Sequence, residues 1–261
     1  MKLNVPTLSD LKAEGKEADV VFWVGCAGSF DDRAKKITRA FVKILNKIKI
    51  NFAVLGTEET CTGDPAKRAG NEFLFQMQAL QNISNLDKYG VKKIVTTCPH
   101  CFNTLKNEYP ELGGNYKVFH HTQYLKDLID QGLLVVGGKK YKGKKITFHD
   151  PCYLGRANKV YEAPRELIKK LSADLVEMKS CKSKALCCGA GGAQMFKDAE
   201  KGNKEINIER TEQALEVKPE IIAAACPFCN TMMSDGIKNK EVDQKIKLYD
   251  VAELIANSKD L

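Results

Sequence analysis

The strongest constraint on this chain is the spacing of its cysteines. Cys26 and Cys152 lie 126 positions apart, as do Cys61 and Cys187, while Cys98 and Cys226, and Cys101 and Cys229, lie 128 apart. The flanking residues agree in kind. KKIVTTCPHCFNTL corresponds to PEIIAAACPFCNTMM, and VFWVGCAGSFDDR stands where ITFHDPCYLGR stands in the second copy. Such self-similarity describes one structural unit used twice, so the chain should fold as two related halves.

Each half alternates short apolar runs with amphipathic stretches. In the first, ADVVFWVG reads as a buried strand and RAKKITRAFVKILNKI as a helix with Ile37, Phe41, Ile44 and Leu45 on one face. NFAVL is a strand, NEFLFQMQALQNISNL a helix, and KKIVTT a strand running into CPHC; KVFHH and TQYLKDLIDQ close the half. The second half repeats the order with ITFHD, a helix around PRELIKKL, DLVEM, a long helix through the 190s to 215, EIIAAA and IKLYDVAELI. Strands separated by helices imply βαβ units and parallel sheet. The expected fold is therefore α/β, with two tandem, pseudo-symmetric Rossmann-like lobes at residues 1–136 and 137–261. Ligands of parallel α/β sheets collect at the carboxyl ends of strands, which is where the repeated cysteines fall.

A chain of 261 residues can bury a core without disulfide staples. The N-terminal stretch has no apolar signal region, and no run approaches a membrane span, so the expectation is a soluble, cytoplasmic protein without direct membrane insertion. In a reducing compartment ten cysteines point to metal ligation or redox catalysis. The formal charge of +8 concentrates only in GGKKYKGKK (137–145), which reads as a solvated linker in preference to a docking patch for an acidic electron-transfer partner. With one aromatic and no RNP-like pattern, it gives no case for nucleic acid.

Four thiolates, Cys26, Cys61, Cys98 and Cys101, form the first candidate metal set, and they suit tetrahedral zinc or an iron-sulfur cluster. The second set has five: Cys152, Cys187, Cys188, Cys226 and Cys229. A fifth thiolate is surplus for one zinc but useful to a larger cluster. Gly189, Gly191 and Gly192 in CCGAGG let backbone N–H groups approach inorganic sulfide and tune its potential. Three other readings compete: a two-zinc scaffold that only binds partners, a thiol-disulfide oxidoreductase using CPHC, and a dinucleotide loop in CGAGGAQ, where Gln194 replaces the third small residue.

From Val20 to Ile255 this arrangement resembles the cysteine-rich CCG domains of heterodisulfide reductase catalytic subunits, of glycolate and lactate oxidation iron-sulfur subunits, and of the C-terminal half of bacterial Fe-S oxidoreductases. The resemblance implies an oxidoreductase subunit with a noncubane [4Fe-4S] cluster on Cys152, Cys187, Cys188, Cys226 and Cys229. Bond chemistry is then expected at Cys187 and Cys188. In the first half Cys61-Thr62-Gly63-Asp64 stands where Cys-Cys-Gly is expected, so the fifth ligand is missing. Its four cysteines suit a cubane [4Fe-4S] cluster, with zinc as the other candidate. No ferredoxin-type C-x-x-C-x-x-C-x-x-x-C run occurs, so the implied partners are a ferredoxin-domain subunit, membrane-bound in some arrangements, and a flavoprotein. A membrane-bound partner would hold the chain at the inner membrane face.

The remaining candidates carry less. Asp64 is expected to cap a helix beginning at Pro65 rather than to ligate. His120, His121, His149 and Asp150 serve either a proton-coupled step or local packing, with packing preferred. Tyr153 and Arg156 stand alike, Arg156 being the better candidate for an anionic substrate or partner. Cys181 falls outside the register and reads as a spare thiol.

Overall fold

The computed structural model describes residues 3–198 and 201–258. Two four-stranded parallel sheets form, one in each half, with the same strand order. The first holds β1 (Val20–Trp23), β2 (Phe52–Ala53), β3 (Lys93–Thr96) and β4 (Lys117–His120) in the order β2-β1-β3-β4. The second holds β5 (Lys145–Phe148), β6 (Asp174–Leu175), β7 (Ile221–Ala224) and β8 (Lys247–Asp250) in the order β6-β5-β7-β8. Strands β1 and β7 are buried at every position, as the unbroken apolar runs VVFW and IIAA require when helices cover both faces.

Around the sheets lie α1 (Leu8–Ala13), α2 (Gly25–Phe30), α3 (Asp32–Lys47), α4 (Asp64–Arg68), α5 (Glu72–Lys88), α6 (Pro99–Asn103) and α7 (His121–Asp130). In the second half they are α8 (Cys152–Gly155), α9 (Glu162–Lys170), α10 (Ile206–Glu216), α11 (Pro227–Asn239) and α12 (Val251–Ser258). Helix α3 starts where Asp31 accepts the Ala34 N–H at 2.7 Å, and it buries Ile37, Phe41, Ile44 and Leu45 as its 3.6-residue spacing dictates. None of the described helices is long and apolar enough to cross a membrane.

The halves dock on each other reciprocally. Helix α3 packs on α12, and its counterpart α9 packs on α7; α6 meets α8, and α11 meets α2. This is the self-complementary geometry of a two-fold interface, built within one chain. One apolar core runs through both halves, joining Phe22, Phe41 and Leu125 to Phe148, Leu167 and Ile255. Polar groups pin the seam. Arg33 grips Glu253 at 3.0 and 2.6 Å and reaches the Asn230 side chain and the Leu248 carbonyl. His121 meets Asp250 at 2.9 Å, and His120 Nε2 donates to the Ala225 carbonyl at 3.1 Å, one residue before Cys226.

Two local expectations change. The helix expected through the 190s begins only at Ile206; residues 191–196 form turns and one short 3-10 segment, and 199–200 lie outside the described residues. Left-handed Gly189, Gly192 and Ala193 are incompatible with a helix there. In GGKKYKGKK the lysines are solvated, but Tyr141 is buried in the common core.

Candidate metal centres

Both C-x-x-C pairs are built the same way. A strand ends, the first cysteine is extended and precedes the helix, and a proline takes its first position: Cys98-Pro99 before α6, Cys226-Pro227 before α11. Proline costs nothing there, because that N–H has no helical partner anyway. The second cysteine then sits in the first turn, beside the first. Cys26 in α2 and Cys152 in α8 come from the helices that follow β1 and β5, and Cys61 and Cys187 from the loops beyond β2 and β6. The eight repeated cysteines, and Cys188 beside them, thus stand beyond strand carboxyl ends.

Within the first set Cys26 faces Cys61 and Cys98 faces Cys101; within the second, Cys152 faces Cys187 and Cys226 faces Cys229. Cys188 and Cys229 approach to 3.3 Å. Cys98 and Cys226 face each other across the seam, so the two sets are neighbours. This proximity is not evident from the sequence, where the sets belong to separate lobes.

Shared protons and hydrogen bonds divide the thiols into low and high. Cys26 draws the Cys61 thiol down to about 7, and Cys101 and then Cys226 hold Cys98 well below the usual range. Cys152, Cys188 and the Gly189 N–H, at 3.3 Å, hold Cys187 far below the usual range as well. Their partners Cys26, Cys101 and Cys152 are pushed up correspondingly. Each set therefore offers thiolate at neutral pH, the form that binds metal.

The point of departure between the halves is visible atom by atom. Thr62 occupies the register position of Cys188, and its hydroxyl approaches Cys101 Sγ at 3.9 Å, as Cys188 approaches Cys229. The glycines that follow match as well: Gly63 has φ +87° and donates to Cys61 Sγ at 3.5 Å, while Gly189 has φ +92° and donates to Cys187 Sγ. Thr62 holds the place of a fifth sulfur without supplying one.

Asp64 does not cap its helix. Gly63 precedes α4, and the Asp64 carboxylate takes His100 Nδ1 at 3.0 Å and Arg68 Nε at 3.0 Å. Against the effect of burial, His100 and Arg68 hold this carboxyl below its usual range. His100, inside CPHC, stacks on Tyr153 of the other half with centroids 4.3 Å apart and lies against Gly191 of the CCGAGG loop. It is thus a first-half residue placed on the second set. Its position within the motif is the only signal in the sequence.

Of the other candidates, His120 and His121 tie the seam, and Asp150 is held by Arg165 at 2.7 and 2.8 Å. Arg156 is exposed and donates one of its N–H groups to the Ala185 carbonyl. Cys181 stands apart from both sets, half-buried. His149, expected to pack, lies with its ring against the second set: a ring nitrogen and the sulfurs of Cys188 and Cys229 are all within 4.8 Å of one another. Burial and then Arg210 push this imidazole down to about 3, so it is neutral. No motif in the sequence marks Arg210 or Glu59. Glu59 accepts the N–H groups of Val24 and Gly25 at 3.0 and 2.6 Å, and burial raises its carboxyl to about 7. It lines a cleft of about 430 Å³ that opens beside Cys26 and Cys61, with exposed Phe30 at the rim.

The competing readings fit poorly. CGAGGAQ opens no α-helix, which a dinucleotide fingerprint needs. Cys98 and Cys101 are 2% and 7% exposed, whereas a thiol that attacks protein disulfides must be accessible.

Comparison with known proteins agrees with this geometry. The cysteine-rich domain family CCG matches twice, over residues 20–106 and 146–234. The chain belongs to that family and carries two copies of its domain. It is 49% identical over 256 residues to a Bacillus subtilis protein described as a probable iron-sulfur-binding oxidoreductase, FadF, covering 98% of this chain and 36% of that protein. It is 45% identical over 251 residues to the EtfAB:quinone oxidoreductase of Syntrophomonas wolfei, covering 94% and 35%. One component of the dihydromethanophenazine:CoB–CoM heterodisulfide reductase of Methanosarcina barkeri is 35% identical over 260 residues, with 95% and 61% covered. The chain thus spans about a third of the first two relatives' length.

Proposed function

We propose that this chain is the iron-sulfur electron-transfer portion of a heterodisulfide-reductase-like oxidoreductase. Its copies divide at 136/137, with a four-cysteine [4Fe-4S] cluster on Cys26, Cys61, Cys98 and Cys101 and a noncubane [4Fe-4S] cluster on Cys152, Cys187, Cys188, Cys226 and Cys229. The observation that carries this reading is the meeting of four and five sulfurs on two sides of one seam. Zinc would use four thiolates and strand the fifth. Bound clusters supply storage and transfer of single electrons.

The chain's own residues prepare for that role. Cys61, Cys98 and Cys187 are already inclined to thiolate, so little work is needed to deprotonate them. Burial of Cys98, Cys101, Cys188, Cys226 and Cys229 excludes water from most of the ligand set. Gly63 and Gly189 aim N–H groups at sulfur, and Gly191 and Gly192 leave room on the CCG loop for close approach. Asp64 and Arg68 orient His100 over that loop. Cys187 and Cys188 are the residues assigned to bond chemistry with a substrate.

Electrons enter from a ferredoxin-type iron-sulfur domain or a flavoprotein. A relative whose name joins EtfAB to a quinone supports an exchange with other carriers. Mixing the anaerobic protein with a reduced ferredoxin-type protein should bleach its visible iron-sulfur absorption at a rate that rises with partner concentration. Bleaching by dithionite but not by any such carrier would overturn the relay role.

A further inference from the structure

Arg210 lies fully buried in α10, and its direct partners are all neutral. It donates Nε–H to His149 Nδ1 at 3.0 Å and reaches the Ser180 carbonyl at 2.8 Å and Gln213 Oε1 at 3.0 Å. Among the described residues no carboxylate pairs with it directly. The nearby Asp150 is held by Arg165, which it shares with the partly exposed Glu177. Burial weighs most on Arg210; of the charges around it Asp150 counts first, followed by the sulfurs of Cys229, Cys181 and Cys188.

A guanidinium only donates, so the ring nitrogen that receives it carries no proton. With Nδ1 accepting, the ring holds a single proton, on Nε2. That atom is buried and has no partner among the described residues. An unmet buried donor is costly and calls for an explanation. The ring lies against the five-cysteine set: one of its nitrogens is within 4.8 Å of the sulfurs of Cys188 and Cys229, and it also feels Cys187.

We propose that His149, its tautomer fixed by Arg210, donates an Nε2–H hydrogen bond to sulfur at the five-cysteine centre and thereby raises that centre's reduction potential. Donors to cluster sulfur favour the state with one more electron. The first half has Trp23 at the matching register position, also buried with an unpartnered N–H. An indole has no acceptor nitrogen, so no arginine can stand behind it in the same way. The pair His149–Arg210 gives the five-cysteine centre a charge-backed donor that the four-cysteine centre lacks, and electrons settle there.

This rests on the second set being a cluster site, and the experiment separates the two claims. Wild type, His149→Gln, His149→Leu and Arg210→Met are purified anaerobically, assayed for iron and sulfide, and titrated potentiometrically with EPR detection. His149→Leu and Arg210→Met should shift one midpoint to more negative potential by about tenfold in the reduced-to-oxidised ratio, about 59 mV for one electron. The other midpoint should not move, and His149→Gln, which returns an N–H near Nε2, should recover most of the shift. Unshifted midpoints at full iron content overturn the hydrogen bond while leaving the cluster site intact. Wild type without iron and sulfide overturns the site, and the inference with it. If a variant loses its cluster, 15N-histidine labelling of wild type decides. A weak nitrogen coupling in the pulsed EPR spectrum supports the bond. No coupling, or the strong coupling of a ligated nitrogen, overturns it.

Discussion

Replacing Thr62 by cysteine tests whether the halves differ by one sulfur. Thr62 is 1% exposed and Cys188 3%, both follow a cysteine, and both precede a glycine with φ near +90°. The threonine hydroxyl already lies 3.9 Å from Cys101 Sγ, so a sulfur on the same Cβ starts within reach of the set. Exchanging a hydroxyl and a methyl for one sulfur is a small change of volume in a packed site, and should cost less than about 1.5 kcal/mol. For a chain of this size that amounts to a few degrees in Tm at most, roughly 2–4 °C per kcal/mol. Thr62→Cys should therefore fold, keep its iron, and change the EPR spectrum of the first centre towards that of the second. The assay is EPR on the anaerobic protein at matched iron and sulfide content. Unchanged spectra at full iron, or a change confined to the second centre, would refute the register argument.

Further expectations concern the second centre and the seam. Cys188→Ser should alter one cluster's EPR signal and leave the other's untouched; equal loss of both would show that the ligands are wrongly divided. Arg33→Met leaves Glu253 buried without its guanidinium and should destabilise the chain by about 2–3 kcal/mol, below the range for a fully buried pair because Arg33 is 20% exposed. Because one core spans both sheets, urea should still unfold that variant in a single transition; two separated transitions would mean that the halves are independent. His149 titrates near 3 when folded against about 6.5 when unfolded, so the unfolded chain gains a proton that the folded one refuses. Stability is fully present above pH 6.5 and falls as the pH drops towards 3. Between pH 7 and pH 5 this group should account for about 2 kcal/mol, which His149→Gln removes; an equal slope in the variant would place the titration elsewhere.

Much of the fold was legible because it is local. Unbroken runs such as VVFW and IIAA, separated by amphipathic segments, specify buried parallel strands, and the cysteine register specifies that they occur twice. The helix expected through the 190s fails for an equally local reason: lysine and glutamate there favour helix, but left-handed Gly192 and Ala193 break it. The seam was not legible. His121 meets Asp250 and Arg33 meets Glu253 over separations of 129 and 220 positions, and no periodicity encodes which faces dock. For the same reason the adjacency of Cys98 and Cys226, the reach of His100 onto the CCG loop, and Arg210 behind His149 emerge only in three dimensions. Thr62, by contrast, could be placed opposite Cys188 by counting.

The central claim is that two iron-sulfur clusters sit side by side at this seam. Iron, acid-labile sulfide and zinc, measured on anaerobically purified protein, test it most directly. About eight iron and eight sulfide per chain are expected, without stoichiometric zinc. Two zinc and no sulfide would contradict the account outright, and four iron with one zinc would reassign the four-cysteine site.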